Sequence, residues 1–597
     1  MLKIKRCASF FIAGFIVARL NPAFGSVHGF ERISVVKSKS LPDTYSLDPD
    51  TSKILPASSI IEELNFYPLD LQSRSIKAGI QTDFSLAGSS PQGVLVLIDG
   101  SRINDPQTAH HNSDLPLTRE DVEKIEVMPG IGSSLFGPDA IGGAINFHLK
   151  KPQSKKMVLE LAGASHQTAS GLFSVSDRWD DLGARFSLER QGSKGFREDT
   201  DYEKLTANLS SSLEMPDAEF SLFAGYNQKE FGAFDFYTPG LGYPSKEWTR
   251  TWIVDTKADL AKGGLVIKPG FLWRRHYDKF MLDKTQIRSR YLNYHRTDMY
   301  TPNIYFQKQT ERFGTVGAGI EYGQENINST NLGKHSRAHR ALFLDQAGDI
   351  TNKASGLISF RLDDFDSFGY VYTGSANLKY NISGNSAFNA SLNRSLRIPS
   401  FTELYYSDPT TAGDPDLKAE SAMTYQASFD YKHEGLSLSQ GIFLRQEKEM
   451  LDWVKHSYSD AKWKIENITR ADVLGAVSYL HCRISDNSKL DFNYTYINKN
   501  IQSRGLIYKY GPNYIQHQAN GVFTINLPFG DQAFGLNYKQ KPGRRGWLLL
   551  GTTTNCNLNK NLKAFLKITN LLNVEYQEIE GIPQPGRWIE AGLRVDW

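Results

Sequence analysis

The chain has few cysteines and no long apolar run. Only three cysteines occur in 597 residues, and only Cys482 and Cys556 lie outside the N-terminal segment discussed below. Two cysteines do not make the disulfide framework of a small secreted domain. Every apolar stretch is shorter than the roughly 20 residues that a transmembrane helix requires. The sequence therefore predicts neither a disulfide scaffold nor a helical membrane span.

An excess of charge of one sign is also lacking. The chain has 68 Lys and Arg against 65 Asp and Glu, a formal net charge of +3. A nucleic-acid-binding domain usually carries a strong basic excess, so we predict no nucleic-acid partner. Aromatic residues make up 12% of the chain, although the mean hydropathy is negative. This combination is typical of a membrane barrel with aromatic girdles.

The N-terminus has the features of a secretory signal. Basic residues precede the apolar run Ala8–Ala18, and Ala23-Phe24-Gly25 places small residues at the −3 and −1 positions of a cleavage site. The apolar run is too short to span a bilayer. We therefore expect residues 1–25 to be a signal peptide and the rest of the chain to be exported.

Apolar and polar side chains alternate in many segments from Met157 onward. In Ile589–Trp597 the odd positions are apolar and the even positions are polar or tiny, and the same period occurs in Ala184–Leu188 and Phe220–Tyr226. Period two indicates a strand whose two faces meet different surroundings. In a soluble protein the apolar face would cover a core, whereas in an outer-membrane barrel it faces lipid.

The connections between these segments alternate in length. Glu214–Ala218 and Ile382–Asn385 are tight, whereas Gln191–Glu203 and Asn227–Thr249 are long. Short turns at one end and long loops at the other are typical of an outer-membrane barrel. Residues 157–597 provide for ~22 strands at about 10 residues per strand and as many per connection. We predict a transmembrane β-barrel of about 22 antiparallel strands, wide enough to need a plug.

The segment before the barrel has a different pattern. Val94–Ile98 is a continuous apolar run, typical of a strand buried on both faces, and Asp99-Gly100 is a tight-turn signal. Thr118 is placed to cap a short helix over Arg119–Lys124. We expect residues 58–156 to form an α+β plug domain inside the lumen.

Motifs in both parts resemble those of the TonB-dependent outer-membrane receptors. The plug carries "VLVLIDG" and "LFGPDAIGGAIN", and the barrel carries "RSLRIPSFTELYY", "DPDLKAE" and "ITNLLNVEYQE" in the same order. The resemblance implies a monomer in outer-membrane lipid with a periplasmic N-terminus. It also implies active import of a scarce solute, with TonB and its inner-membrane energising complex as partners.

In this family a short segment near the mature N-terminus contacts TonB. We assign residues 26–57 to an N-terminal extension that contains this TonB box. An alternating stretch there could add a strand to the edge of a TonB sheet. Its residues are Glu31, Arg32, Ile33, Ser34, Val35 and Val36.

The plug departs from the family at two positions that usually carry arginine. The chain has Leu86-Ala87-Gly88 at one and Met128-Pro129-Gly130-Ile131 at the other. In relatives these arginines pair with barrel carboxylates. The resemblance therefore implies that other contacts hold this plug.

Two loops are the expected ligand-binding elements. The plug apex, Asn104–Pro116, offers Gln107, His110, His111 and Asn112. The outer loop within Asn227–Thr251 offers Phe234, Asp235, Phe236 and Tyr237. Both are similar to stretches in cobalamin receptors, so cobalamin is the favoured solute. A ferric siderophore and haem remain alternatives, although the His that haem receptors place between the "R-P" and "PDL" elements is absent here.

Functions of other classes have less support. A passive porin would lack the plug. An outer-membrane hydrolase would need a nucleophile with its base, and no nucleophile motif occurs. Gly130-Ile131-Gly132 does not fit a phosphate loop, because Leu135 takes the third glycine position. We therefore predict no enzymatic activity and no cofactor, and the sequence assigns no metal ligands.

Overall fold

The structure is a computed structural model that describes residues 44–286, 292–502 and 505–597. The predicted signal peptide and TonB box lie outside the described residues. Among the helices of the described residues, none has the length and apolar character to cross a membrane. The elements before the barrel are α1 (Pro49–Lys53), α2 (Ile60–Glu63), β1 (Asp70–Ser75), β2 (Ile80–Ser85), β3 (Val94–Ile98), β4 (Ser101–Arg102), β5 (Val122–Pro129), α3 (Ser133–Phe136) and β6 (Gly143–Leu149), with 3₁₀ turns at Leu64–Phe66, Lys77–Gly79, Pro91–Gly93 and Ala109–Ser113.

The remaining described strands build the barrel and its loops. They are β7 (Lys156–Ala164), β8 (Thr168–Trp179), β9 (Leu182–Ser193), β10 (Tyr202–Met215), β11 (Ala218–Gly232), β12 (Lys246–Lys262), β13 (Leu265–Met281), β14 (Leu292–Thr310), β15 (Gly314–Ser329), β16 (Gly333–Thr351), β17 (Ala354–Phe365), β18 (Gly369–Asn381), β19 (Ser386–Arg397), β20 (Thr411–Ala412), β21 (Glu420–His433), β22 (Leu436–Lys455), β23 (Trp463–Ser485), β24 (Ser488–Ile501), β25 (Ile507–Tyr508), β26 (His517–Leu527), β27 (Gly530–Gln540), β28 (Trp547–Asn557), β29 (Leu562–Thr569), β30 (Gln577–Ile579), β31 (Ile582–Pro583) and β32 (Trp588–Asp596). One helix, α4 (Phe401–Tyr405), lies in the loop after β19. The short strands β20, β25, β30 and β31 belong to loops.

The barrel closes between its first and last strands. β32 pairs antiparallel with β7, so that Leu593 lies opposite Leu161. Met157 and Trp597 exchange two backbone hydrogen bonds of 3.0 and 2.9 Å. Closure removes the free strand edges that lipid could not satisfy. The prediction of about 22 antiparallel strands is confirmed, because the closed barrel has 22.

The alternation in the sequence corresponds to the two faces of the barrel wall. In β32, Ile589 and Leu593 expose 45% and 50% of their surface, whereas Glu590 and Trp588 are buried toward the lumen. The Lys77 ammonium of the plug lies 5.1 Å from the Trp588 ring centroid. The wall is therefore apolar on the side that a bilayer covers and polar on the side that meets the plug.

Short turns and long loops lie at opposite ends of the barrel, as predicted. Gly263 and Gly264 form the two-residue turn between β12 and β13 with φ of +57° and +79°, a backbone conformation that glycine adopts without strain. The longer connections, residues 233–245, 398–419 and 570–587, lie at the other end. We refer to these as the short-turn end and the long-loop end.

The plug is organised around a four-stranded sheet in the order β4-β3-β6-β5. β3 pairs parallel with β6 and is buried along its length, as predicted. The predicted helix over Arg119–Lys124 is wrong. The Asp121 carboxylate accepts hydrogen bonds from the backbone N–H and the hydroxyl of Thr118, at 2.7 and 2.8 Å. The chain therefore turns there, and β5 begins at Val122.

Buried ion pairs connect the plug to the barrel wall. In most of them a barrel cation meets a plug carboxylate, as in Lys229–Asp114, Arg274–Asp105 and Lys539–Asp70. The Arg594–Glu120 pair has the same sense but is only half-buried. Arg102 of the plug pairs in the opposite sense with Glu325 of the barrel at 3.0 Å. These contacts secure a plug that lacks arginine at the two usual positions. Removing one partner of such a pair leaves a buried charge, which is costly.

Candidate functional site

The plug apex is fixed by its own side chains. The Asn104 amide both donates to and accepts from the backbone of β3, at 2.8 Å in each case. The Asn112 side-chain oxygen accepts a 2.8 Å hydrogen bond from the backbone N–H of Asp105. The Asp105 carboxylate in turn accepts one of 2.8 Å from the backbone N–H of Gln107. The apex is thus a restrained loop.

Barrel residues cover most of this apex. Gln107, His111 and Asn112 are buried. The backbone N–H groups at the start of α4 donate to the carbonyls of Pro106 and Gln107, at 2.9 and 3.2 Å. Of the four predicted apex residues, His110 has the most accessible side chain, with 25% exposed. Ligand contact by the four residues stays a prediction.

His110 is connected to the plug hairpin β1–β2. Its Nδ1 lies 2.6 Å from Oδ1 of Asp83, and Arg74 donates to the other carboxylate oxygen at 3.4 Å. Burial opposes ionisation of Asp83, but the interactions with His110 and Arg74 outweigh it and lower the pKa of this carboxyl. Burial lowers the pKa of His110 despite the nearby carboxylate. A neutral imidazole that donates its Nδ1–H to Asp83 fits this arrangement.

The outer loop between β11 and β12 is closed by Asp235. Its carboxylate accepts hydrogen bonds from the backbone N–H groups of Gly240, Gly242 and Tyr243, at 3.1, 2.7 and 3.2 Å. Phe236 is buried in a hydrophobic cluster that includes residues of the plug. Both side chains therefore have structural partners.

Tyr237 joins the outer loop to the plug apex. Its hydroxyl donates to Glu247 at 3.0 Å, the Arg74 guanidinium lies 5.1 Å from its ring centroid, and the His110 ring lies 6.2 Å away. The residue keeps 40% of its surface exposed. Phe234, half-buried, packs 5.6 Å from the guanidinium of Arg197. We refer to Tyr237, His110 and Arg74 as the mouth surface.

Two family models match the chain. The TonB-dependent receptor plug domain matches residues 43–144, and the TonB-dependent receptor-like β-barrel matches residues 160–571. The chain belongs to the TonB-dependent receptor family. Members of this family are outer-membrane receptors and transporters rather than enzymes.

Curated relatives of the receptor are similar over most of their length. The vitamin B12 transporter BtuB of Photobacterium profundum is 23% identical over 447 residues, which cover 70% of each chain. The vitamin B12 transporter BtuB of Vibrio vulnificus strain YJ016 is 24% identical over 481 residues, 74% of the receptor and 73% of the relative.

Solved structures share the fold of the receptor. The siderophore receptor PirA from Pseudomonas aeruginosa has a TM-score of 0.71 at 16% identity, and covers 93% of the receptor and 99% of its own chain. The siderophore receptor PirA from Acinetobacter baumannii has a TM-score of 0.77 at 12% identity, with 94% and 99% covered.

A row of polar side chains beneath the mouth surface was not identified from the sequence. Arg274, His276 and Asp278 alternate along β13 and face the lumen beside the plug apex. Neighbouring strands place Glu247 and Thr251 of β12 and His295 of β14 in the same buried region. The alternation of polar side chains in "RRHYD" could have indicated that this row faces the lumen. It does not reveal which plug residues the row contacts.

A cavity of about 1390 Å³ opens at the short-turn end of the receptor. Pro49–Ile54, Arg119, Glu120 and Arg594 are among its lining residues, whereas none of the predicted apex or outer-loop residues lines it. Burial raises the pKa of Glu120, but Arg594 and two lysines outweigh this effect and lower the pKa to about 2. The cavity is a charged space separate from the mouth surface.

Proposed function

We propose that the receptor imports cobalamin across the outer membrane with energy supplied through TonB. The observation that carries this proposal is the similarity to vitamin B12 transporters, which extends over 70% or more of the chain. The ligand would enter at the long-loop end and leave at the short-turn end.

The chemistry of the mouth surface supports a large ligand of low net charge. Arg74 is paired with Asp83 and lies against Tyr237, so the surface presents little free positive charge. A corrinoid carries amide groups around a broad ring, and the Tyr237 and His110 side chains can offer it hydrogen bonds and aromatic contact. A ferric catecholate is strongly anionic and would favour cations that are not already paired.

The direction of transport has support in the position of the plug's N-terminal residues. Pro49–Ile54 line the cavity at the short-turn end. The proposed TonB box Glu31–Val36 precedes Pro49–Ile54 in the sequence, and a TonB contact requires access to the periplasm. This position favours a short-turn end that faces the periplasm.

Calorimetric titration of the purified receptor tests the choice of solute. We expect saturable binding of cyanocobalamin and none of a ferric catecholate or haemin at the same concentrations. Tyr237→Ala should weaken cobalamin binding about 10-fold, since loss of a contact of about 1.4 kcal/mol changes the affinity by that factor. Tyr458→Ala is the matched control, because Tyr458 is 91% exposed in the loop between β22 and β23. Binding of the catecholate without binding of cobalamin would overturn the proposal.

A further inference from the structure

Three metal-binding side chains converge where the plug apex meets the barrel wall. They are His111 and Asp114 of the plug and His276 of β13, all buried. His111 Nδ1 and His276 Nε2 lie 3.6 and 3.9 Å from Oδ2 of Asp114. These separations exceed hydrogen-bond length, and none of the three atoms has a hydrogen-bond partner in the described part of the chain. Leaving buried polar atoms unpartnered is costly, so the arrangement indicates a ligand among them.

We propose that this apex cluster, His111, Asp114 and His276, binds a divalent transition-metal ion of the Zn²⁺ class that cross-links the plug to the barrel. Imidazole nitrogen and carboxylate oxygen are ligands that Zn²⁺ accepts together. Bonds of about 2.0–2.2 Å in a tetrahedron place neighbouring ligand atoms about 3.3–3.6 Å apart. The two separations from Asp114 are close to this range, and the three ligand atoms all lie within 4.8 Å of one another.

Local structure explains how the plug contributes two ligands. His111 lies in the 3₁₀ turn Ala109–Ser113, and the backbone N–H of Asp114 donates to the His111 carbonyl at 3.2 Å. In a 3₁₀ turn, side chains three positions apart lie on the same side. Lys229 lies 2.8 Å from the other carboxylate oxygen of Asp114, Oδ1, and this contact leaves Oδ2 directed at the two imidazoles.

The barrel ligand is oriented by a second contact. Nδ1 of His276 lies 2.8 Å from the Thr251 hydroxyl, so Nε2 can present its lone pair to a metal. Nε2 of His111 lies 3.8 Å from Asp278 Oδ2, which is beyond hydrogen-bond length. Metal-binding histidines usually have a hydrogen-bond acceptor at the second ring nitrogen, which fixes the tautomer and the ring orientation.

Acidic side chains surround the cluster. The carboxyl groups of Asp105, Asp114, Asp278 and Glu247 lie around it, together with the cations Arg274 and Lys229. Carboxyl groups therefore outnumber the Lys and Arg side chains next to the three ligand atoms.

Metal analysis of the intact receptor tests the proposal. The receptor is purified with a chelator, exchanged into chelator-free buffer and titrated with Zn²⁺ or Co²⁺. We expect one ion per chain by elemental analysis, the visible d–d bands of four-coordinate Co²⁺, and a higher unfolding temperature with metal bound. His276→Gln should abolish stoichiometric binding. Thr251→Val, which keeps the shape of the side chain, should weaken it about 10–100-fold.

The control is His456→Gln, because His456 has 61% of its side chain exposed in a loop and pairs with Glu466. It should bind metal like the unmodified receptor. If His276→Gln fails to assemble, Thr251→Val decides the question, with assembly checked by heat-modifiable migration. A wild-type receptor that binds neither ion overturns the proposal. Affinity unchanged in Thr251→Val, or in an assembled His276→Gln, overturns it as well.

Discussion

Arg274 on β13 and Asp105 in the plug apex form an ion pair with 2% and 0% of their side-chain surfaces exposed. The Thr297 hydroxyl donates to the same carboxylate oxygen at 3.1 Å, and the guanidinium also donates to the His111 carbonyl at 3.3 Å. Both charges lose their partners if the apex leaves the wall. The pair therefore couples the position of the apex to that of β13.

Arg274→Ala should loosen the plug strongly. The substitution leaves Asp105 as a buried charge without its cation, which typically costs about 3–5 kcal/mol. Hydrogen exchange of apex amides and denaturant unfolding of the detergent-solubilised receptor measure the effect. Arg340→Ala is the control, because Arg340 is 74% exposed and lies 3.6 Å from Asp364. A surface pair of this kind contributes about 0–1 kcal/mol, so equal losses in the two variants would contradict the prediction.

Leu593→Arg should impair assembly of the barrel. Leu593 lies on the outer face of β32 with half its surface exposed, where a bilayer covers it. An arginine on the lipid face near mid-membrane costs about 2–4 kcal/mol. Heat-modifiable migration after folding into lipid vesicles gives the assembled fraction.

Arg594→Leu is the companion variant on the lumen face. Sequence parity alone predicts little effect, but Arg594 lies 2.7 Å from Glu120 of the plug. We therefore expect normal barrel assembly together with a loosened plug, seen as faster proteolysis of plug segments. If Leu593→Arg and Arg594→Leu impair barrel assembly equally, the two faces of β32 do not differ as described.

The barrel was predictable because the sequence patterns that indicate its strands and turns are local. Alternation along a strand reports the two faces of the wall, and turn composition reports where strands end. Burial of the apex was not predictable. A polar loop with two histidines has the composition of a solvated surface, yet Arg274 and α4 cover it. Asp105 and Arg274 are 169 positions apart, and one sequence gives no means of pairing them.

The turn at Thr118 illustrates a local competition. A threonine before a polar run can cap a helix, but its N–H and hydroxyl both donate to Asp121 three residues later. The nearby strand β5 pairs with β6, and this tertiary contact favours an extended chain from Val122. Pairing with a distant strand outweighs a weak helical preference.

Glu120 should make plug docking sensitive to acid. The pKa of Glu120 is lowered from its ordinary value of 4.5 to about 2 in the folded receptor. Its stabilising effect is therefore fully present above pH 4.5 and is lost as the pH falls through about 2. Between pH 5 and pH 2, Glu120→Gln should lose less plug stability than wild type. Thermal unfolding monitored by tryptophan fluorescence measures this loss. Glu123→Gln, at a neighbouring exposed carboxyl, is the control. Parallel pH profiles for wild type and Glu120→Gln would contradict the assignment.

Deletion of Glu31–Val36 should separate binding from transport. An alternating segment in this position can add a strand to TonB, while the mouth surface lies at the long-loop end. Cells that carry the receptor without Glu31–Val36 should bind labelled cobalamin at the surface but fail to accumulate it. Deletion of six residues from Ser38–Asp43 serves as the control for length. Normal accumulation after loss of Glu31–Val36 would show that TonB contacts another segment.

His110→Ala and Asn112→Ala should affect the plug apex in different ways. His110 is partly exposed beside Tyr237, and Asp83 keeps Arg74 as a partner when the imidazole is removed. We therefore expect normal stability and cobalamin binding weaker by about 3–10-fold, the effect of one hydrogen bond of about 0.5–1.5 kcal/mol. Asn112→Ala instead leaves the buried Asp105 N–H without its acceptor, which costs about 1–3 kcal/mol of stability. Replacing all four predicted apex residues at once would mix these effects, so single variants are needed. Calorimetry at fixed salt and denaturant unfolding measure both quantities for each variant. An unchanged dissociation constant in a stable His110→Ala receptor would remove His110 from the ligand site.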